Sequence, residues 1–445
     1  MATEKIDKTL KNWVGEYGAP IPAFLASVVI VILYMVLRLS PETFKEIFLV
    51  IGILSPIWLP LFLLYFFWFF WMIYIKSDFI KNQENFLLEI KLPREIQKSP
   101  LAMEAVFSGL NHTLGESTEF ARYWFGKLRT WFSFEIASID GEVRFFVWGR
   151  DFFRKALEAQ IYAQYPEVEI VDADDYTRAI RLDLKKIDVW GVDFKLNKPD
   201  TYPIKTYVDY NLDKDPKEEF KVDPMSHMIE LMGSLGKGEQ FWFQFIIRAT
   251  KKERKKKGTW FKKTGWKEEA HAEIDKLMLR DPKTKSTREL TTAGFQMLPT
   301  LSEGEKDIIK AIERSITKPA FDVGIRGIYL AEKENFNPGN IAGLIGIMKQ
   351  YNSNTLNEFT PTRYVYGFQY PWEDYKGLRQ DRQRRRVFDA YRRRSYFHYP
   401  YKTQPFVLNT EELATMFHFP GATVQTPTVA RVPSKKSEAP SDLPI

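Results

Sequence analysis

Nucleotide hydrolysis requires a loop of backbone N–H groups followed by a lysine and by a Ser or Thr for magnesium. The Gly–Lys candidate here is Gly233-Ser-Leu-Gly236-Lys237-Gly238. Its spacing is wrong, glycine follows the lysine, and it closes a helical pattern where a phosphate loop would open one, so it reads as a helix C-cap. The five histidines, His112, His227, His271, His398 and His418, are scattered without metal-ligand spacing. No Gly-x-Ser-x-Gly elbow occurs. Carboxylates are plentiful, but no pair is singled out by the sequence. No catalytic residue, metal ligand or cofactor is expected, and an enzyme would need a site assembled wholly from distant segments.

Two basic clusters remain. Lys251, Lys252, Arg254, Lys255, Lys256 and Lys257 form one, continued by Lys262, Lys263 and Lys267 and interleaved with Trp260, Phe261 and Trp266. Lysines among aromatics suit an anionic membrane surface, or a nucleic-acid backbone with stacked bases; a solvated loop tip is the plain alternative. The second cluster, Arg379–Arg394, reads as a helix with Val387, Phe388 and Tyr391 turned inward. Its Arg384, Arg385, Arg386, Arg392, Arg393 and Arg394 are candidate phosphate ligands, or ion-pair partners for Asp and Glu of this chain or another.

The elements that must position these clusters start from an apolar N-terminal region. Ile47–Ile75 runs without a charged residue, with unbroken aromatics from Tyr65 to Trp71. As a helix it is longer than a bilayer core of about 30 Å requires. Ile21–Leu37 is a second uncharged run, and Arg38–Glu46 between them is charged. The pair reads as a transmembrane hairpin over 21–75, preceded by a polar lead over 1–20. Charged residues ahead of the first run and the lack of a small-residue cleavage site argue against a signal peptide. Lys5, Lys8 and Lys11 precede the hairpin and Lys76, Lys81 and Lys91 follow it, which places both termini in the cytoplasm by the positive-inside rule. The chain of 445 residues carries a net charge of +7 and no cysteine. Disulfides and thiolate metal sites are excluded, and a reducing compartment fits.

Beyond the hairpin the pattern is α+β. Strands at Phe86–Lys91, Trp131–Ser138, Val143–Trp148 and Val168–Val171 alternate with helices opened by Ser99-Pro100 and by Arg150, and Asp140-Gly141 marks a hairpin. That βαββαβ order over 84–176 is the ferredoxin-like arrangement. A second round over 177–370 has strands at Lys205–Tyr210, Gln240–Arg248, Phe321–Ala331 and between Asn357 and Phe368, with helix openings at Asp223-Pro224 and Asn337-Pro338. Residues 250–318 are an insertion carrying the basic run and helices at Trp266–Leu279 and Ser302–Ile316. A single mixed α+β domain without duplication is the alternative. Residues 371–419 hold the Arg-rich helix and a short helix, Glu411–Phe419. Residues 420–445, rich in Pro, Ser and Thr, read as an extended or disordered tail.

Three stretches together resemble a known group. They are Ile161–Ile170 (IYAQYPEVEI), Gly236–Arg248 (GKGEQFWFQFIIR), and Phe406–Gly421 (FVLNTEELATMFHFPG) with Thr426-Pro427-Thr428. They resemble the region preceding the motor domain of conjugative, type IV secretion, HerA-like membrane-associated ATPases. The resemblance covers most of residues 85–433 and excludes the motor, since the sequence stops at Ile445. It implies a HerA-like ATPase as a separately encoded partner, and no functional residue carries over.

The expected function is a non-catalytic, membrane-anchored scaffold of a translocation assembly, forming a homo-oligomer against the lipid bilayer. Leu413, Met416, Phe417 and Phe419 are its candidate docking face for the motor. The alternative is a membrane-tethered protein that binds nucleic acid, DNA being the candidate partner, through the Lys- and Arg-rich segments.

Overall fold

The computed structural model describes residues 28–32, 34–35, 41–93, 98–115, 118–212, 223–251, 253–255, 263–278, 301–368 and 372–421. The expected polar lead over 1–20, residues 422–445 of the expected tail and most of the run Ile21–Leu37 lie outside them.

The apolar region is helical, with a different division from the expected one. Residues 28–32 and 34–35 are exposed and helical. Helix α1 (Pro41–Ile53) starts inside the supposed connecting stretch Arg38–Glu46, with Pro41 first and Glu42 in its first turn. Both choices favour a helix start: proline gives up an N–H that has no partner there, and the carboxylate faces the positive end of the dipole. Helix α2 (Ser55–Lys81) follows after one residue. Ile47–Ile75 is therefore divided between two helices at Leu54. The cause is Pro56, which offers no N–H to the carbonyl four residues back. The Trp58 indole N–H covers part of the gap by donating to the Ile51 carbonyl at 3.0 Å. Among the described residues, α2 is the one helix long and apolar enough to cross a membrane.

The body is a mixed α+β fold around a single antiparallel sheet. Its first half runs β1 (Asn85–Lys91), α3 (Pro100–Gly109), α4 (Glu119–Tyr123), β2 (Phe132–Ile139), β3 (Glu142–Arg150), α5 (Arg154–Gln164), β4 (Glu169–Asp172) and α6 (Tyr176–Ala179). The second half runs β5 (Ile187–Leu196), α7 (Pro224–Gly233), β6 (Glu239–Ala249), a two-stranded ribbon of β7 (Arg254–Lys255) and β8 (Lys263–Thr264), α8 (Trp266–Leu277), α9 (Glu303–Thr317), β9 (Ala320–Glu332), α10 (Pro338–Ile347) and β10 (Phe359–Thr362). Helix α11 (Leu378–Arg392), β11 (Phe406–Asn409) and α12 (Thr410–Met416) complete it.

Strands lie in the order β10-β5-β9-β6-β2-β3-β1-β4, and β11 pairs with the first residues of β9. Each half contributes four strands in the same relative order, and the halves meet where β2 pairs with β6. Asp140 and Gly141 at the β2–β3 turn have φ of 53° and 85°, which suits the two-residue hairpin they were expected to make. The expected strand Lys205–Tyr210 is instead a turn, closed by Asp209 accepting from the Thr206 N–H at 2.8 Å. The strand that opens the second half is β5.

Alternation assigns the two sheet faces. Phe132, Phe134, Ile136, Phe241, Phe243 and Phe245 point into the main core beneath α3, α5, α7, α10 and α12. Ala137, Trp242, Ile328 and Leu330 face the other way, against Phe388 and Tyr391 of α11. Gly191 permits that close packing, since a Cβ there would fall 2.3 Å from a Val387 methyl.

Candidate membrane-facing site

Strand register brings one end of the sheet to α2. Asn85 lies opposite Arg150, Ser133 opposite Trp148, Phe132 opposite Ile247, and Ala249 opposite Phe321. The last turn of α2 runs into that end. Phe79 and Ile80 pack against Leu128, Trp131, Ile246, Tyr396 and Phe397. Higher on α2, the Trp71 indole donates to the Tyr123 carbonyl at 3.2 Å. Gly126 sits directly against the backbone: with φ +61°, a Cβ there would lie 2.4 Å from the Ile75 carbonyl oxygen. Helix α2 is thus seated on the body by packing as well as by chain connection.

Cations collect beneath this seat. Arg150 is 6% exposed and lies over the rings of Trp131 and Phe79, with centroids at 4.7 and 5.0 Å. Burial pushes its pKa down to about 10. Arg129 and Arg248 share Asp322, at 3.2 and 2.9 Å. His398 stands beside Trp131, ring centroids 5.5 Å apart. Burial first, then the charges of Arg248, Lys76, Arg150 and Arg129, hold it well below the usual imidazole range. Its Nε2 and the Trp131 indole N–H have no hydrogen-bond partner among the described residues. Both residues line a cavity of about 900 Å³ between the end of α2 and the end of α11. Lys81, Arg178, Arg392, Arg393 and Arg394 line it against Asp174, Asp175 and Asp389. An aromatic-walled cavity with excess positive charge suits a phosphate or carboxylate group.

The sequence-predicted residues divide. The lysine-rich insertion leaves β6 at the α2 end of the sheet. Lys251 is half-buried there, Arg254 and Lys255 form β7 opposite Lys263 and Thr264, and Lys263 is exposed. Lys252, Lys256, Lys257 and Lys262 lie outside the described residues. On α11, Arg385, Arg386 and Arg392 are exposed. Arg393 is exposed but ion-paired with Asp389 at 2.7 Å. Arg384 is tied to Asp188 at 2.9 Å, and Arg394 is buried between Glu135 and Asp175, each at 2.9 Å. These last two are corrections: both guanidiniums hold the helix on the sheet and are spent on internal carboxylates.

The proposed docking face is also corrected. Leu413, Met416, Phe417 and Phe419 are at most 1% exposed and belong to the main core. β11 carries the chain along β9 and delivers α12 beneath the sheet. There Asn409 and Glu412 form a reciprocal capping box, and Glu412 also accepts from the Ile204 N–H at 2.9 Å. The apolar stripe of α12 is occupied by its own chain.

The Gly236–Gly238 stretch follows α7 and turns into β6, with Gly238 at φ +79° and its N–H on Asp140 at 2.8 Å. Among the described residues, no group of three or more His, Asp or Glu could hold a metal ion. Sequence reasoning missed Arg150, Trp131 and His398. Only their residue types were visible, since they are brought together by strand pairing and the 395–398 segment.

No curated protein matches the sequence. The family model described as a domain of unknown function, DUF8128, matches residues 81–432, which is the whole body from the last residue of α2 to beyond α12. The chain belongs to the DUF8128 family.

Proposed function

We propose that the protein is a non-catalytic, membrane-anchored scaffold of a type IV secretion-like or conjugation-like translocation assembly. It sits in the bacterial inner membrane by two spans, α2 being the second, with both termini and the body in the cytoplasm. The two sheet halves, each in the strand order of a ferredoxin-like domain, form the platform for a separately encoded HerA-like ATPase. The observation that carries this reading is the seat of α2 on the body through Trp71, Gly126, Phe79 and Ile80. A platform that transmits force from a motor to a membrane needs such a fixed joint, whereas a merely tethered domain needs only a linker.

The test is co-expression of the full chain with a HerA-like ATPase, followed by co-migration of the two in detergent. Absence of a complex overturns the scaffold reading. A periplasm-active reporter fused after Lys91 is expected to be silent, and an active one reverses the topology.

The second reading, DNA binding, is favoured by the exposure of Arg385, Arg386 and Arg392 along α11. Binding of the detergent-solubilised chain to duplex DNA that falls steeply with salt and is lost in Arg385→Glu/Arg386→Glu supports it.

A further inference from the structure

We propose that Phe120, Trp124 and Phe125 insert into the interfacial layer of the bilayer that α2 crosses, giving the body a second membrane contact that fixes its depth. The proposal rests on α2 being a membrane span.

The three side chains are 60%, 58% and 57% exposed. They form one knob: Phe120 stacks on Trp124 at 6.1 Å and meets Phe125 edge-on at 5.4 Å. The knob is held in place from below. Thr118 caps α4 by accepting from the Ala121 N–H at 3.1 Å, and Ala121 and Gly126 are buried. The open rings are therefore presented by an ordered backbone, and a contiguous aromatic patch of this kind marks an interaction surface.

Its position selects the occupant. The Tyr123 ring lies 5.5 Å from Trp68 and the Trp124 ring 6.1 Å from Trp71. With Gly126 against Ile75, the knob runs alongside residues 68–75, the last apolar turns of α2 before Lys76. Lipid that surrounds Trp68 and Trp71 surrounds the knob as well. A protein partner would reach it only by displacing lipid from the same flank of α2. Arg122, with its charge beside the Tyr123 ring at 5.2 Å, and exposed Lys127 follow within the same segment. Tryptophan and phenylalanine at headgroup depth with cations beside them are the chemistry of a bilayer interface.

The chain has no cysteine, so single nitroxide labels are placed without further changes. Phe120→Cys, Trp124→Cys and Phe125→Cys are labelled in the full chain, reconstituted in phosphatidylcholine vesicles with a minority of phosphatidylglycerol. Phe62→Cys on α2 and Glu334→Cys beyond the far end of β9 serve as references. Labels on the knob are expected to be reached by oxygen and shielded from an aqueous nickel chelate severalfold more than the label at 334. A knob open to nickel while the label at 62 is shielded overturns the proposal and leaves the span intact. A label at 62 that is open to nickel removes the span and the proposal together. Shielding of the knob from both oxygen and nickel indicates a protein contact and also overturns it.

Discussion

The Arg394 guanidinium grips the Glu135 carboxylate with two nitrogens, Nε at 2.9 Å and Nη2 at 3.2 Å, where both side chains are buried. Glu135 also accepts from Ser133, Tyr176 and Gln244 at 2.7 to 2.9 Å, and Arg394 reaches Asp175 as well. Gln244 stands opposite Glu135 across the β2–β6 pair. A single guanidinium therefore ties α11 to the seam where the two halves of the sheet join. Both halves of this network are costly to desolvate, so it holds only while every member is present.

Removing one partner strands a buried charge. Arg394→Met is expected to lower the stability of the body by about 3–5 kcal/mol, read by denaturant titration of the full chain in detergent. Replacing Glu135 by Leu in the same chain should recover part of that loss. A loss confined to anion binding, with stability unchanged, would make Arg394 a ligand group instead.

The passage Phe406–Phe419 is core, so shortening the chain acts on folding. Ending it after Leu408 removes α12 and is expected to leave no cooperative unfolding transition. The milder Phe417→Ala, at a residue with no exposed surface, is expected to cost about 3–5 kcal/mol. A truncated body with an unchanged transition would return α12 to the role of a docking face.

Asp223 caps α7 and faces His418, Oδ1 and Oδ2 each lying 3.1 Å from Nε2. Burial alone would raise its carboxyl, but His418 and the Met225 N–H outweigh it and leave the pKa below the ordinary 3.8. A depressed folded pKa means that the unfolded chain binds the proton more readily. The contribution is full above the unfolded value and is lost as pH falls through the folded one. Stability is expected to drop in acid below roughly pH 4, and Asp223→Asn should flatten that limb while costing about 1–3 kcal/mol at neutral pH. Denaturant titrations of both proteins across this range check it.

Gly126→Val puts a branched side chain into the Ile75 carbonyl at a positive φ. The joint between α2 and the body is expected to loosen, at about 1–3 kcal/mol. Limited proteolysis of reconstituted protein should then cut faster between Lys81 and Asn85. Unchanged cleavage would mean that the joint does not depend on this contact.

What was legible in the sequence followed from local rules. Asp140-Gly141 marked the first hairpin, Pro100, Pro224 and Pro338 marked helix starts, and the runs that became β2, β6 and β9 read as strands. What was not legible depended on partners far away in sequence. β11 is four residues long, and its identity is set by Phe321 and Val323 opposite it. Leu413, Met416 and Phe417 form the same helical stripe whether the surface over it is another protein or Phe134 and Phe145, as found. The arginines of α11 read as one run, yet their fates are decided by Asp188, Glu135 and Asp175, which lie on other elements. Pro56 stands in the middle of an uncharged run, and its force as a boundary depended on Pro41 starting a separate helix upstream.

The outer margins of the sheet limit how copies of this chain can assemble. β4 and β10, the outermost strands, are four residues each, and the rows of main-chain donors and acceptors they leave open are correspondingly short. Pro361 removes a donor from β10, while β4 carries charges at both ends in Glu169 and Asp172. Short, charged or proline-bearing margins blunt strand-to-strand joining between molecules. A ring or filament of this protein cannot readily grow by extending the sheet from one copy into the next. Copies that gather in the membrane would have to meet through helices and loops, leaving each sheet a closed unit.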